Sequence, residues 1–159
     1  MEISRRQWNK LDTEEKAKFT KTNPNEARFW SGRSYSKNGN EYSGDENSKH
    51  LAKNDIGKTL EMKLDENNID KDNISPKDWQ EASKNFAEGA LGDIKCCKGD
   101  ELHKNNIYEN TEKFIIENNK NIDSIIEVDN ITGKNVKACY IRNLKTGNLE
   151  DINGNKFIS

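Results

Sequence analysis

The stretch from Ser75 to Val128 limits the fold more than any other part of this chain, because helix and strand signals alternate along it. Ser75 followed by Pro76 is typical of a helix start, since a capping hydroxyl precedes a proline at the first helical position. The helix predicted there runs through Ala90 and ends before Gly92. Residues three or four positions apart form its buried face: Trp79, Ala82, Ser83, Phe86 and Ala90.

Three β-rich runs follow this helix, at residues 93–97, 123–128 and 136–141. Residues 107–118, between the first two runs, predict a helix with a stripe of Tyr108, Glu112 and Ile115. Strands joined through a helix run parallel, whereas strands joined by a short turn run antiparallel. We therefore predict an α/β (or α+β) fold, in which a helical N-terminal half packs on a small, partly parallel C-terminal sheet.

Size and charge exclude several classes of function. A chain of 159 residues fits one domain, and a net charge of -2 provides no positive field for nucleic acid. No apolar run approaches the roughly 20 residues of a membrane helix. We expect no nucleic-acid partner and no membrane span. Residues 1–22 are charged and sparsely apolar, and we interpret them as a tether or surface helix that precedes a functional domain at 23–159.

Cysteine and histidine are too few and too scattered to predict a metal site. His50 and His103 are interpreted as surface residues. The three cysteines, Cys96, Cys97 and Cys139, lie in strand-like runs and are predicted to be small buried residues. A disulfide from Cys139 to one of the vicinal pair is the alternative.

The N-terminal half is harder to interpret. Asn23-Pro24 predicts a short helix over 25–30 that ends at Gly32, which would place Trp30, Ser31 and Arg33 at a helix exit. Residues 35–48 are rich in Gly, Asn and Ser and predict a surface loop. Residues 58–64 alternate in hydropathy, but seven residues are too few to distinguish a strand from a helix.

Four segments combine an aromatic or carboxylate side chain with small residues: 29–33, 57–61, 78–90 and 106–112. Their order resembles the ADP-ribosyl cyclase and NAD glycohydrolase family. Animal members of that family carry a Trp-Ser-Arg segment, then Thr-Leu-Glu-Asp, then a Trp-led helix with Ser and Phe-Ala-Glu-Ala-Ala, then a Glu four residues after an aromatic. This chain matches the first segment with Gly32 inserted between Ser31 and Arg33, and the second as Thr59-Leu60-Glu61. The third segment is the most specific, and the resemblance covers residues 25 to 130.

The resemblance implies an NAD glycohydrolase that takes NAD as substrate, needs no cofactor, and produces nicotinamide and ADP-ribose, with cyclisation as a side reaction. Glu112 would stabilise the positive charge that develops at the ribose, and Glu61 would bind the carboxamide or tune hydrolysis against cyclisation. The substrate would contact Trp30, Ser31, Arg33, Trp79 and Ser83, with the two Trp rings against the cationic nicotinamide and the Ser–Arg pair on the pyrophosphate.

Two choices remain open at the sequence level. Glu127 competes with Glu112 for the position of the key carboxylate, although Glu127 lies inside a predicted strand and only Glu112 keeps the family's spacing from an aromatic. Trp79 also has a purely structural interpretation, since Trp on an apolar helix face is more often part of the core.

The chain departs from animal members of the family, which carry several disulfides. The resemblance is closer to bacterial toxin domains, and it implies a monomeric domain that is delivered as part of a larger secreted protein and acts in the cytoplasm of a target cell. A cognate immunity protein is the implied partner. The alternatives are an ADP-ribosyltransferase or other toxin domain, and a non-enzymatic binding module.

Overall fold

A computed structural model describes Gln7 and residues 10–32, 34–35, 41–42, 44–69, 74–99 and 107–158. None of the helices in these ranges is long and apolar enough to cross a membrane.

A five-stranded mixed sheet organises the fold. Its strands, in spatial order, are β1 (Arg28–Ser31), β4 (Gly92–Lys98), β5 (Ile122–Asp129), β6 (Val136–Arg142) and β7 (Leu149–Glu150). Strands β1, β4 and β5 pair in parallel, whereas the β5–β6 and β6–β7 pairs are antiparallel. The predicted α/β class with a small, partly parallel sheet is confirmed. A separate antiparallel pair consists of β2 (Ser34–Tyr35) and β3 (Glu41–Tyr42).

Five α-helices lie in the described ranges: α1 (Thr13–Lys18), α2 (Gly44–Asn54), α3 (Leu60–Glu66), α4 (Pro76–Gly89) and α5 (Lys113–Asn118). A π-helical turn, Tyr108–Glu112, leads directly into α5. The helix start predicted at Ser75 is confirmed, because its hydroxyl accepts the Asp78 N–H at 3.2 Å. The ambiguous run at 58–64 is resolved as α3, which Thr59 caps by accepting the Met62 N–H at 3.3 Å.

Aromatic rings join the sheet, α4 and the π-helical turn into one core. The ring of Phe29 on β1 lies 5.0 Å from that of Phe86 on α4 and 6.3 Å from that of Tyr108 in the turn. All three side chains are at most 2% exposed. The turn is therefore held against β1 and α4 by three of the largest buried side chains among the described residues.

The helix predicted at residues 25–30 is wrong. Pro24 lies in a turn and Asn25 has a positive φ of 65°, so the chain enters β1 at Arg28 in place of a helix. Pairing with β4 decides the conformation, since Phe29 lies opposite Cys96 in the parallel register and is buried. Tertiary pairing of so short a segment outweighs its local helix signals.

The loop predicted at residues 35–48 is also wrong in part, because β2, β3 and the start of α2 fall within it. Cys96 and Cys97 are buried as expected, but Cys139 is exposed, and all three thiols are free. Cys139 lies on the face of β6 opposite the buried Arg142 and partly buried Tyr140, so the core does not cover it.

The N-terminal segment contacts the rest of the domain. Helix α1 packs against α4, and Leu11 and Phe19 contact the core. The predicted boundary at residue 22 stays a prediction.

Candidate active site

The candidate site lies beside the carboxyl end of β1, at the sheet edge where parallel strands commonly present ligand-binding residues. Trp30 and Ser31 are the last two residues of β1. The π-helical turn contacts this strand, and the chain reaches the turn after β4 has ended at the same edge. Three segments that are distant in sequence therefore meet here: β1, the first turn of α3, and the π-helical turn.

Trp30 and Glu61 are joined by a hydrogen bond. The indole Nε1–H of Trp30 donates to Glu61 Oε1 at 3.1 Å. Glu61 reaches this position because the chain runs alongside β1 just before α3 begins. Lys58 forms a parallel β-bridge with Ala27, the residue before β1. The Trp30 side chain is partly buried, and this bond engages its N–H.

Glu112 is the most perturbed carboxyl group of the site. It is 8% exposed, and burial raises its pKa from the ordinary 4.5 to about 8, with the negative charge of nearby Glu61 contributing in the same direction. With a pKa of about 8, Glu112 is mostly protonated at neutral pH. A buried carboxyl next to a second carboxylate is the kind of arrangement found at acid–base and charge-stabilising sites.

Among the described residues, Glu61 is the charged group that acts on the pKa of Glu112. The buried Cys96 thiol is also electrostatically coupled to Glu112. Three charged side chains on the elements packed against the turn form ion pairs: Arg28 with Asp55, Lys113 with Glu109, and Glu81 with Lys16.

A second set of charges lies on the other side of the same turn, and we call it the Lys98 cluster: Lys98, Tyr108, Glu109, Lys113 and Glu127. Lys98 Nζ lies 2.9 Å from Glu109 Oε1 and 3.6 Å from Glu127 Oε2. Lys113 Nζ lies 3.4 Å from Glu109 Oε2. The hydroxyl of Tyr108 donates to Glu127 Oε2 at 2.8 Å. The carboxylates of Glu109 and Glu127 are therefore satisfied by cations or a donor.

The two carboxylates weighed from the sequence thus have different surroundings. Glu127 is 3% exposed but bonded to Tyr108 and close to Lys98. Glu112 is coupled to Glu61, which the Trp30 indole holds in place. The surroundings of Glu127 fit a structural carboxylate, and those of Glu112 fit a reactive one.

The remaining predicted residues are placed less directly. Trp79 is partly buried against the core, and Ser83 is buried on the same face of α4, the helix that contacts both α3 and the π-helical turn. Ser31 is 1% exposed and faces the opposite side of the strand from Trp30. Arg33 lies outside the described residues.

Sequence reasoning missed Lys98 and Glu109. A signal for Lys98 was present, because it continues the alternation of Ile94 and Cys96 and so falls on the inward face of β4. A charged residue at an inward strand position requires a buried partner, which here is supplied by the turn and by β5.

No cluster of His, Cys, Asp and Glu suited to a metal ion occurs among the residues that the structure describes. Comparison with family models, curated proteins and solved structures finds no match to this chain.

Proposed function

We propose that this chain is an NAD glycohydrolase, which cleaves the bond between nicotinamide and ribose to give nicotinamide and ADP-ribose. The observation that carries the proposal is the meeting of Trp30, Glu61 and Glu112 from three distant segments. The family resemblance assigns these same residues to one site.

The chemistry requires little from the protein beyond charge stabilisation. Nicotinamide leaves as a neutral base from a cationic ring, so its departure needs no general acid. The ribose carbon becomes electron-poor, a water oxygen bonds to it, and the proton of that water passes to solvent. An ionised Glu112 beside this carbon gains interaction strength as the positive charge grows, because the site is shielded from water.

The raised pKa of Glu112 fits a cationic substrate. Burial and the charge of Glu61 disfavour the carboxylate form of Glu112. A positively charged nicotinamide riboside group placed beside the pair would favour ionisation of Glu112. The exposed part of the Trp30 ring would add a cation–π contact of about 1 kcal/mol.

The rest of the assignment depends on the resemblance alone. Trp79 is proposed as a second stacking surface, and Ser83, Ser31 and Arg33 as further substrate contacts. The toxin setting, delivery into the cytoplasm of a target cell, a cognate immunity protein and a monomeric state are proposals on the same basis.

Chromatography of the purified chain incubated with NAD tests the proposal. Nicotinamide released with an equal amount of ADP-ribose supports a glycohydrolase, and a large cyclic ADP-ribose fraction would change the assignment to a cyclase. Nicotinamide without free ADP-ribose, together with label transferred to an added protein, would indicate an ADP-ribosyltransferase. The Glu112→Gln variant is the negative control for these assays. If NAD stays intact even at high concentration of the wild-type protein, the non-enzymatic binding module becomes the better hypothesis.

A further inference from the structure

The π-helical turn that carries Glu112 is anchored on its far side by the Lys98 cluster. Glu109, three residues before Glu112, is held by Lys98 from β4 and by Lys113 from the start of α5. Tyr108, at the start of the turn, is tied to β5 through Glu127. Contacts from two strands and one helix therefore converge on a turn of five residues.

A π-helical turn needs such anchoring. It is rare because it inserts one residue into the regular helical hydrogen-bond pattern, and where it persists it is often part of a functional site. The extra residue rotates the following side chains about the helix axis, so the same turn sends Glu109 toward Lys98 and Glu112 toward Glu61.

We propose that Lys98 is a positioning residue for the reaction: by bridging Glu109 and Glu127, it holds the π-helical turn in the geometry that buries Glu112 beside Glu61. The proposal rests on the proposed function for its kinetic consequence. The effect of Lys98 on the surroundings of Glu112 does not depend on whether the protein cleaves NAD.

Lys98 is suited to this role by its position in the sheet. It is the last residue of β4, opposite Asp129 of β5 in the parallel register, and its side chain is 18% exposed. It is close to two carboxylates that belong to different elements, one in the turn and one in the strand. Lys98 thus links the turn to the sheet, together with the hydrogen bond from Tyr108 to Glu127.

The test is Lys98→Met, read through the pH dependence of kcat/KM for NAD, which reports the ionisation of groups in the free enzyme. Loss of positioning predicts a fall of about 10- to 100-fold in kcat/KM. It also predicts a lower apparent pKa for Glu112, because a loosened turn admits water to the carboxyl group. Loss of a positive charge by itself would shift this pKa upward, so the direction separates the two effects.

Two variants serve as controls. Lys98→Arg keeps the charge and should restore most of the activity and the pH profile. Lys95→Met removes a lysine from the opposite face of the same strand, where Lys95 Nζ pairs with Asp55 at 2.8 Å, and should leave the profile unchanged. Lys98→Gln replaces Lys98→Met if the latter does not fold by circular dichroism.

The inference and the proposed function can fail separately. Titration of carbon-13-labelled glutamate by NMR, with Glu112→Gln identifying the signal, follows Glu112 whether or not NAD is cleaved. A Glu112 signal that titrates identically in wild type and in the folded Lys98 variant overturns the positioning role, even if NAD is hydrolysed. An upward shift, or an equal effect of Lys95→Met, overturns it too. If NAD is not cleaved but the pKa of Glu112 falls in the Lys98 variant, the proposed function is refuted and the positioning role stands.

Discussion

Glu109 and Glu112 lie three residues apart on one π-helical turn, yet their surroundings affect them in opposite directions. Burial alone would raise the pKa of Glu109, but the hydrogen bonds and charges of Lys98 and Lys113 outweigh it and lower the pKa. Burial and the charge of Glu61 raise the pKa of Glu112 to about 8. At neutral pH one turn therefore carries an ionised, paired carboxylate on one side and a protonated carboxyl group on the other.

This comparison shows that the role of a buried carboxyl group is decided by the charged or hydrogen-bonding groups beside it. Its residue type and its depth of burial do not decide that role. Glu127 is as buried as Glu112, but it has a donor and a nearby cation. A satisfied carboxylate stabilises the fold and has little capacity left for a ligand. A carboxyl group without a cation has the most to gain from a cationic ligand, which is the property that a transition state with developing positive charge requires.

The largest effect on NAD turnover is expected when Glu112 and Glu127 are each replaced by glutamine in separate variants. Glu112→Gln should lower the turnover of NAD by about 100- to 1000-fold, because the variant cannot provide a negative charge. Glu127→Gln should change turnover far less and should lower the midpoint of thermal unfolding. Chromatographic assays and melting curves of both variants measure this. The reverse pattern would move the reactive role to Glu127.

The Tyr108→Phe variant tests how much the hydrogen bond to Glu127 contributes to the stability of the fold. The variant keeps the buried ring and removes the hydroxyl that donates to Glu127. A hydrogen bond to a charged group predicts a loss of about 2 kcal/mol in the free energy of unfolding, measured with urea. The matched control is Tyr140→Phe, for which we expect a smaller loss because Tyr140 is only partly buried. Equal losses would show that the Glu127 contact contributes nothing specific.

The pH dependence of stability should have opposite signs for the two sides of the turn. The native state keeps a proton on Glu112 that the unfolded chain releases above its ordinary pKa of 4.5, so Glu112 favours folding at low pH. This contribution is lost as the pH rises from 4.5 to about 8, at about 1 kcal/mol per pH unit. For Glu109 the lowered pKa stabilises the fold at neutral pH, and this contribution is lost on acidification.

Urea unfolding across this pH range, with Glu112→Gln and Glu109→Gln beside wild type, measures these slopes. Glu112→Gln should flatten the decline between mildly acidic and mildly alkaline pH, and Glu109→Gln should flatten the acid limb. A Glu112→Gln profile parallel to wild type throughout would contradict the protonated state assigned to Glu112.

The smallest effect is expected from Trp30→Phe, which keeps an aromatic face and removes the N–H that donates to Glu61. Without this donor the ionised form of Glu61 is less favoured, so its charge acts less on Glu112, and the pKa of Glu112 should fall. At alkaline pH, where Glu112 is ionised in both proteins, we expect loss of the bond that holds Trp30 and Glu61 together to decrease kcat/KM by about fivefold, equivalent to about 1 kcal/mol. An unchanged pH profile would show that the Trp30 hydrogen bond does not tune the pair.

Much of the C-terminal half could be predicted from the sequence. The start of α4 at Ser75-Pro76 depends on neighbours in the chain, and so does the alternation that marks β4, β5 and β6. These signals are local, so no knowledge of the fold is needed to interpret them. The N-terminal half has weaker local signals, and the segment containing Phe29 and Trp30 became a strand only because β4 was available to pair with it.

The candidate site divides in the same way. Trp30, Glu61 and Glu112 could be named from ordered segments of the sequence, and the preference for Glu112 over Glu127 could be stated as a hypothesis. The hydrogen bond between Trp30 and Glu61, the burial of Glu112 and the role of Lys98 could not be predicted, because each joins residues from distant segments.

By itself, the sequence determined the order of helices and strands after Ser75, the inward alternation of β4 and the identity of the acidic and aromatic side chains available for chemistry. Only the tertiary structure decided which carboxyl group would be paired with a cation and which would face another carboxyl group. The physical reason is that the charge state of a buried group depends on solvent exclusion and on charges within a few ångströms. In this chain those charges come from β4, α3 and α5, and folding alone brings them to one turn.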